Sequence, residues 1–222
     1  FSKELGVKLD KYHLLKHPFY QKYWNEGKLT REIIRDYAEQ YYQHVKAFPR
    51  YISATHSICE DLEKRRILLE NLQDEENKDG DHPKLWKNFA KALGADEKEI
   101  EKVKLDWFTK DMIDNFFSQA RKSYAEGLAS LYTYERQIPE IAETKIQGLK
   151  KFYGVNSKEG LEFFEAHKSA DVIHRAECEK LLDALSKEEQ EKAETASLLT
   201  ARYLWNFLSG ITSKHKLQYI AA

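Results

Sequence analysis

Ile33, Tyr37, Tyr41, His44, Phe48 and Tyr51 follow one another at steps of three or four residues. That spacing gathers side chains on one face of an α-helix and scatters them over both faces of a strand. A helix carrying a broad apolar stripe must bury it against other elements. Thr30 stands where an N-cap is needed, its hydroxyl able to accept from the first turn, and Pro49 should kink the helix.

The same period recurs along the chain. A second helix runs from about Asp61 to Asn77, with Leu68, Leu72 and Glu75 on one face. Lys78-Asp79-Gly80-Asp81 is a turn; Asp81 caps a third helix with His82-Pro83 in its first turn, and Gly94 closes it. A short helix follows Asp96. A long one is expected from about Phe108 to Arg136, aligning Leu128, Leu131 and Glu135. Pro139 opens another that ends near Tyr153-Gly154. Ser157 caps the next, which reaches about Leu185, and Ser186 caps the last, which runs through Tyr203 and Phe207 towards Gly210. The expected architecture is all-α: a compact bundle of roughly eight helices in one domain over residues 1–222, with no strand. Only 9 Gly and 4 Pro interrupt 222 residues, 33% of them charged, which suits helices better than strands and turns.

Charge and hydropathy exclude several classes. A formal net charge of −1 gives no reason to expect nucleic acid or an acidic membrane as partner. No apolar run approaches the roughly 20 residues of a membrane span. Phe1-Ser2-Lys3-Glu4 lack the apolar core of a signal peptide. Cys59 and Cys178 form no metal-binding pair in sequence, so a reducing cytoplasm is the simplest expectation.

Chemistry concentrates on His167, Asp171 and His174. At i, i+4 and i+7 they stack on one helical face, on the stripe that also holds Phe164, Cys178 and Leu181. Burying three ionisable groups without partners costs several kcal/mol or forces neutral forms. A metal ion removes the difficulty, since two imidazoles and a carboxylate are good ligands; a solvated polar face is the plainer alternative. Glu75 and His82 end one helix and start the next across a tight turn, so they can converge on one ion, with Glu76 as a rival to Glu75 and an acidic capping cluster as the bland alternative. Glu135 shares a stripe with Leu128 and Leu131, where a partly exposed acid is equally natural. Three His and three carboxylates without thiolate suit two first-row metals such as iron or manganese. The paired Glu-x-x-His motifs of ferritin-like bundles are absent. Lys145 interrupts the stripe of Ile138, Ala142, Leu149 and Phe152. It either snorkels to solvent or is held with a depressed pKa, as catalytic amines are.

Five segments together carry a family resemblance. They are Lys46-Ala47-Phe48-Pro49-Arg50-Tyr51, His56-Ser57, Leu72-x-Asp74-Glu75-Glu76-Asn77, Tyr134-Glu135-x-Gln137-Ile138-Pro139 and His167-x3-Asp171-x2-His174. From about His17 to the last helix the chain resembles the CADD proteins (chlamydial protein associating with death domains), haem-oxygenase-like relatives of PqqC and TenA. The resemblance implies a bundle of seven or eight helices holding an Fe/Fe or Fe/Mn centre on Glu75, His82, Glu135, His167, Asp171 and His174. It also implies a self-sacrificing oxygenase that uses O2 and a reductant to make para-aminobenzoate, a folate precursor, from a tyrosine of the protein. By position that tyrosine is Tyr20, in His17-Pro18-Phe19-Tyr20, the amino donor is Lys145, and Tyr37 and Tyr134 match other participating tyrosines. A homodimer is implied as well.

The segment Tyr23-Trp24-Asn25 is one residue longer than the family's version, and the turn Lys78-Asp79-Gly80-Asp81 differs in composition. Two other expectations stand beside this one. A metal-independent PqqC-like oxidase or TenA-like thiaminase would leave the His-Asp-His helix unexplained; for the thiaminase, Cys59 beside His56 is the available nucleophile. A death-domain-binding protein would need no chemistry at all.

Overall fold

The computed structural model describes residues 1–78 and 80–217, apart from the side chains of residues 169–172. Helices account for its regular structure: α1 (Ser2–Leu9), α2 (Arg31–Ser57), α3 (Leu62–Glu75), α4 (His82–Ala92), α5 (Glu97–Ile100), α6 (Trp107–Lys122), α7 (Tyr124–Glu135), α8 (Ile138–Phe152), α9 (Lys158–Asp183) and α10 (Lys187–Lys214). Two 3-10 turns and a π-helical turn (Phe19–Trp24) connect α1 to α2. No strand occurs among the described residues, and no described helix is long and apolar enough to cross a membrane.

Local chemistry sets most of the boundaries. Thr30, Asp61, Asp81, Asp96, Ser157 and Ser186 each accept a backbone N–H of the helix they precede, each cap stabilising by about 1 kcal/mol. Ser186 and Glu189 form a reciprocal capping box. Pro49 lies inside α2, which continues through it to Ser57. Asp79 of the expected turn before α4 lies outside the described residues.

Two expectations need correction. The long helix expected over Phe108–Arg136 is two helices. Ser123 is fully extended (φ −158°, ψ 162°), ends α6 and caps α7 by accepting from Glu126 N at 3.2 Å. A serine followed three residues later by a glutamate is a strong helix start, and here it overrides a continuous helical period. The last helix passes Gly210 and runs to Lys214. Gly210 is a point of close approach, where a Cβ would meet the Phe108 ring at 2.2 Å. The first two dozen residues also hold α1 and the π-helical turn, which a search for long amphipathic periods cannot detect.

α7 is buried on every side from Ala125 to Glu135, so it runs through the middle of the bundle. On one side of it, α2, α4, α6, α8, α9 and α10 enclose an aromatic core that includes Tyr41, Tyr51, Trp86, Phe116, Phe163 and Phe207. On the other, Leu128 and Tyr132 pack with Leu5 and Leu9 of α1 and Leu181 and Leu182 of α9. Each fully buried large apolar side chain contributes roughly 1.5–3 kcal/mol. The π-helical turn is drawn into the larger core by Phe19, Tyr20 and Trp24. It is tied down by Trp24 Nε1, which donates to Thr144 O at 3.2 Å, and by Tyr153 Oη, which donates to Trp24 O at 3.0 Å.

Candidate metal centre and its aromatic pocket

Glu75 is the last residue of α3 and His82 the first of α4. The intervening turn folds them together, and His82 Nδ1 meets Glu75 Oε2 at 2.7 Å. Both are buried, whereas Glu76 is exposed, which decides between the two neighbouring acids. His167 comes from α9 and packs its ring against His82, with centroids 4.1 Å apart. One donor atom from each of Glu75, His82 and His167 lies within 4.8 Å of the others. His167 Nδ1 donates to Phe163 O at 2.7 Å. A carbonyl can only accept, so the ring's Nε2 keeps its lone pair for another partner. Burial first, then the neighbouring His82, holds His167 well below the ordinary imidazole range, and neutral imidazole is the ligating form. These three residues could hold a metal ion.

The other expected ligands stand differently. Glu135, at the end of α7, is buried, accepting from Asn71 Nδ2 at 2.7 Å and facing Cys178 Sγ at 3.5 Å. His174, also buried, has Nε2 at 3.0 Å from the half-exposed carboxylate of Asp74. Both lie outside the Glu75, His82 and His167 group. The side chain of Asp171 is outside the described residues; its backbone belongs to α9. The donor set as a whole, imidazoles and carboxylates in a buried site, fits first-row divalent metals.

His167 also lines an enclosed pocket whose wall includes Tyr20, Tyr37, Tyr41, Trp86, Tyr134, Lys145 and Phe163. Lys145 does not snorkel: it is 4% exposed. Its Nζ donates to Tyr37 Oη at 2.5 Å and lies 4.7 Å from the centre of the Tyr37 ring and 5.2 Å from that of Trp86. Burial pushes its pKa down to about 7. Tyr20 hydrogen-bonds Tyr37, and burial raises both phenols far above their ordinary value. Tyr41 hydrogen-bonds Tyr134 and is likewise raised by burial. The pocket wall thus holds three phenols that burial keeps neutral beside a lysine that is partly unprotonated near pH 7.

Tyr41 and Asn71 are the residues that reading the sequence for function missed. Tyr41 was legible only as one more aromatic on the α2 stripe. Asn71 sits three residues after Leu68 and four before Glu75, a polar residue on a buried helix face, and that was the available signal. Cys59 has no part in this pocket. It follows the end of α2, with its thiol 3.6 Å from Asp61 O and its pKa raised by burial.

A bundle of helices enclosing a Glu-His-His cluster beside an aromatic pocket defines a helical protein with a buried candidate metal site. The chain belongs to the TENA/THI-4/PQQC family, which it matches over residues 5–212. It is 42% identical to a 4-aminobenzoate synthase of Chlamydia muridarum, over 94% of this chain and 88% of that protein. It is 40% identical to a 4-aminobenzoate synthase of Nitrosomonas europaea, over 95% of this chain and 90% of that one. A domain of unknown function from Shewanella denitrificans, solved with a haem-oxygenase-like fold, superimposes with a TM-score of 0.81 at 15% identity, covering 99% of this chain and 94% of that one. The fold is therefore haem-oxygenase-like, and the CADD-like 4-aminobenzoate synthases are relatives.

Proposed function

We propose that this protein is a self-sacrificing 4-aminobenzoate synthase that converts its own Tyr20 into product, with Lys145 as amino donor. The observation that carries the reading is one enclosed pocket lined by Tyr20, Tyr37, Lys145 and His167. Kinship with the two synthases supplies the reaction class. In this reading Glu75, His82, Glu135, His167, Asp171 and His174 hold two metal ions, as an Fe/Fe or Fe/Mn pair. The bound metals would supply oxidising power from O2 and a reductant.

The remaining work falls to the protein. Product formation breaks the Cα–Cβ bond of Tyr20, oxidises Cβ to the carboxylate carbon and exchanges the phenol oxygen for nitrogen. Lys145 is suited to give that nitrogen, because burial leaves much of its amine unprotonated near pH 7. Tyr37 accepts from Lys145 and hydrogen-bonds Tyr20, so it joins the donor to the ring that is consumed. Trp86 and Phe163 keep bulk water from the pocket. Tyr41 and Tyr134 extend the line of coupled phenols into the core. The chain outside Tyr20 keeps its anchors, since Trp24 and His17 hold the flanking backbone independently of the Tyr20 side chain.

Intact-mass analysis tests this directly. Metal-loaded protein given reductant and air should lose the Tyr20 side chain, mapped by peptide sequencing, and release one equivalent or less of 4-aminobenzoate. Full metal loading with an unchanged Tyr20 peptide would sink the proposal. Product that forms in the Cys59→Ala variant and disappears on metal removal would separate it from a metal-free, thiol-dependent relative.

A further inference from the structure

Gln137 stands in the bend between α7 and α8, just after Glu135 and Arg136, and is 3% exposed. Its backbone is fixed on both sides: N donates to Tyr134 O at 3.3 Å, and O accepts from Ile141 N at 3.2 Å. The side chain turns back on α7, where Nε2 donates to Thr133 O at 3.1 Å. Its Oε1 accepts from Leu14 N at 2.9 Å, across 123 residues of sequence. A backbone N–H can only donate and a carbonyl can only accept, so the two ends of this amide cannot be exchanged. Both bonds are buried, where leaving the Leu14 N–H unmet would cost about 1–3 kcal/mol.

Leu14 opens the 3-10 turn Leu14–Lys16, and the bonds that follow lead to Tyr20. His17 N donates to Leu14 O at 2.9 Å, and Tyr20 N donates to His17 O at 2.9 Å. The amide of Gln137 is thus joined to the backbone of Tyr20 by three hydrogen bonds in series. Leu14 and Tyr20 both line the pocket that Tyr134 and His167 also line. Downstream of Tyr20, Trp24 Nε1 is held by Thr144 O of α8. Upstream, α1 has its own ties: Ser2 N donates to Asp183 Oδ1, and Arg136 donates to Gly6 O. Tyr20 therefore lies between an anchor on α8 and one at the end of α7, the helix that carries Glu135.

We propose that Gln137 is a positioning residue for the reaction of Tyr20. By holding Leu14 to the end of α7, it sets where the Tyr20 ring stands relative to the candidate metal centre. The inference rests on the reading of Tyr20 as the substrate. It goes beyond that reading in assigning the placement of Tyr20 to an amide that takes no part in the chemistry. A displacement of about 1 Å caused far from the reacting atoms can cost about 100-fold in rate. Oxygen activation requires the metals but not this segment, so loosening the segment should separate metal oxidation from oxidation of Tyr20.

The test uses the full-length protein with Gln137→Met, which keeps the side chain's length and loses both hydrogen bonds. In the metal-free variant, amide hydrogen exchange over residues 14–20 should lose its protection, while exchange in α9 and α10 stays as in wild type. Protein loaded with Fe(II) and Mn(II) is then given O2, and metal oxidation, followed by absorbance, is compared with the 4-aminobenzoate released. The variant should take up and oxidise its metals as wild type does, yet give at least about tenfold less product per metal oxidised. A merely structural loss lowers both quantities together and leaves their ratio unchanged. Gln137→Ala, which leaves room for water to meet Leu14 N and Thr133 O, should repeat the result and serves if the methionine variant does not fold. A folded variant with the wild-type ratio, or with wild-type protection over residues 14–20, overturns the proposal. Wild type that oxidises its metals while Tyr20 stays intact overturns the reading of Tyr20 as substrate, and the proposal with it.

Discussion

Lys145 Nζ donates to Tyr37 Oη at 2.5 Å inside a pocket whose wall, among the described residues, includes no carboxylate. The amine is thereby hydrogen-bonded without being held in its charged form. Burial moves its pKa from the ordinary 10.5 down to about 7. Between those two values the unfolded chain holds a proton that the folded chain lacks, so stability contributed through this group increases as pH rises. The slope approaches about 1.4 kcal/mol per pH unit. Urea unfolding between about pH 7 and 10 should show this rise in wild type and lose it in Lys145→Met. The variant should also be the more stable protein near pH 7, because it no longer buries an ionisable amine. An unchanged pH slope in the variant would mean that Lys145 keeps its proton in the fold.

Tyr37 is the joint between Lys145 and Tyr20, hydrogen-bonded to both. Tyr37→Phe preserves the ring packing against Phe19 and Tyr41 but leaves Lys145 Nζ buried without its acceptor. The expected destabilisation is about 1–3 kcal/mol, with metal content unchanged and 4-aminobenzoate yield lowered at least tenfold. Comparing metal analysis with product assay separates this outcome from a general loss of structure.

How much of this was legible beforehand differs by element, for physical reasons. The stripe from Ile33 to Tyr51 is α2, because a long amphipathic period has no alternative. Glu75 and His82 were legible as neighbours because a tight turn between two helix ends leaves their separation little freedom. Which acid faced inward was not, since Glu75 and Glu76 differ only in where α3 stops. Lys145 could be seen on an apolar stripe, but its burial depends on the aromatic rings that α2, α4 and α9 bring around it, and no local pattern carries that. The packing of His17 and Tyr20 was illegible for a related reason: short 3-10 and π-helical turns have no long period and take their shape from the core they enter.

Gly148 on α8 faces the indole of Trp24, and a Cβ there would come within 2.3 Å of Nε1. Trp24 is fully buried and its Nε1 is engaged by Thr144 O, so the ring has nowhere to retreat. Gly148→Ala should cost about 1–3 kcal/mol by overpacking. Trp24 and Tyr20 share one π-helical turn, so the same change should shift Tyr20 and reduce product yield while metal uptake stays at the wild-type level. Thermal unfolding and intact-mass analysis on the same samples check both halves; a stable variant with full yield would show that the turn tolerates the displacement.

Glu75 and His82 meet across the α3–α4 turn at 2.7 Å, and both are buried. Without metal, each is the partner that makes burial of the other tolerable. His82→Ala should therefore destabilise the metal-free protein by about 3 kcal/mol, since a carboxylate is left buried without its partner. It should also abolish uptake at the preassembled cluster, because Glu75 and His167 alone offer too few donors for a tight divalent site. Glu76→Gln alters an adjacent acid that is exposed, and its effect on both quantities should stay within about 0.5 kcal/mol. Urea titration in the presence of chelator and Mn(II) binding distinguish the two positions. Equal effects at Glu76 and His82 would refute the assignment of the cluster to the inward-facing pair.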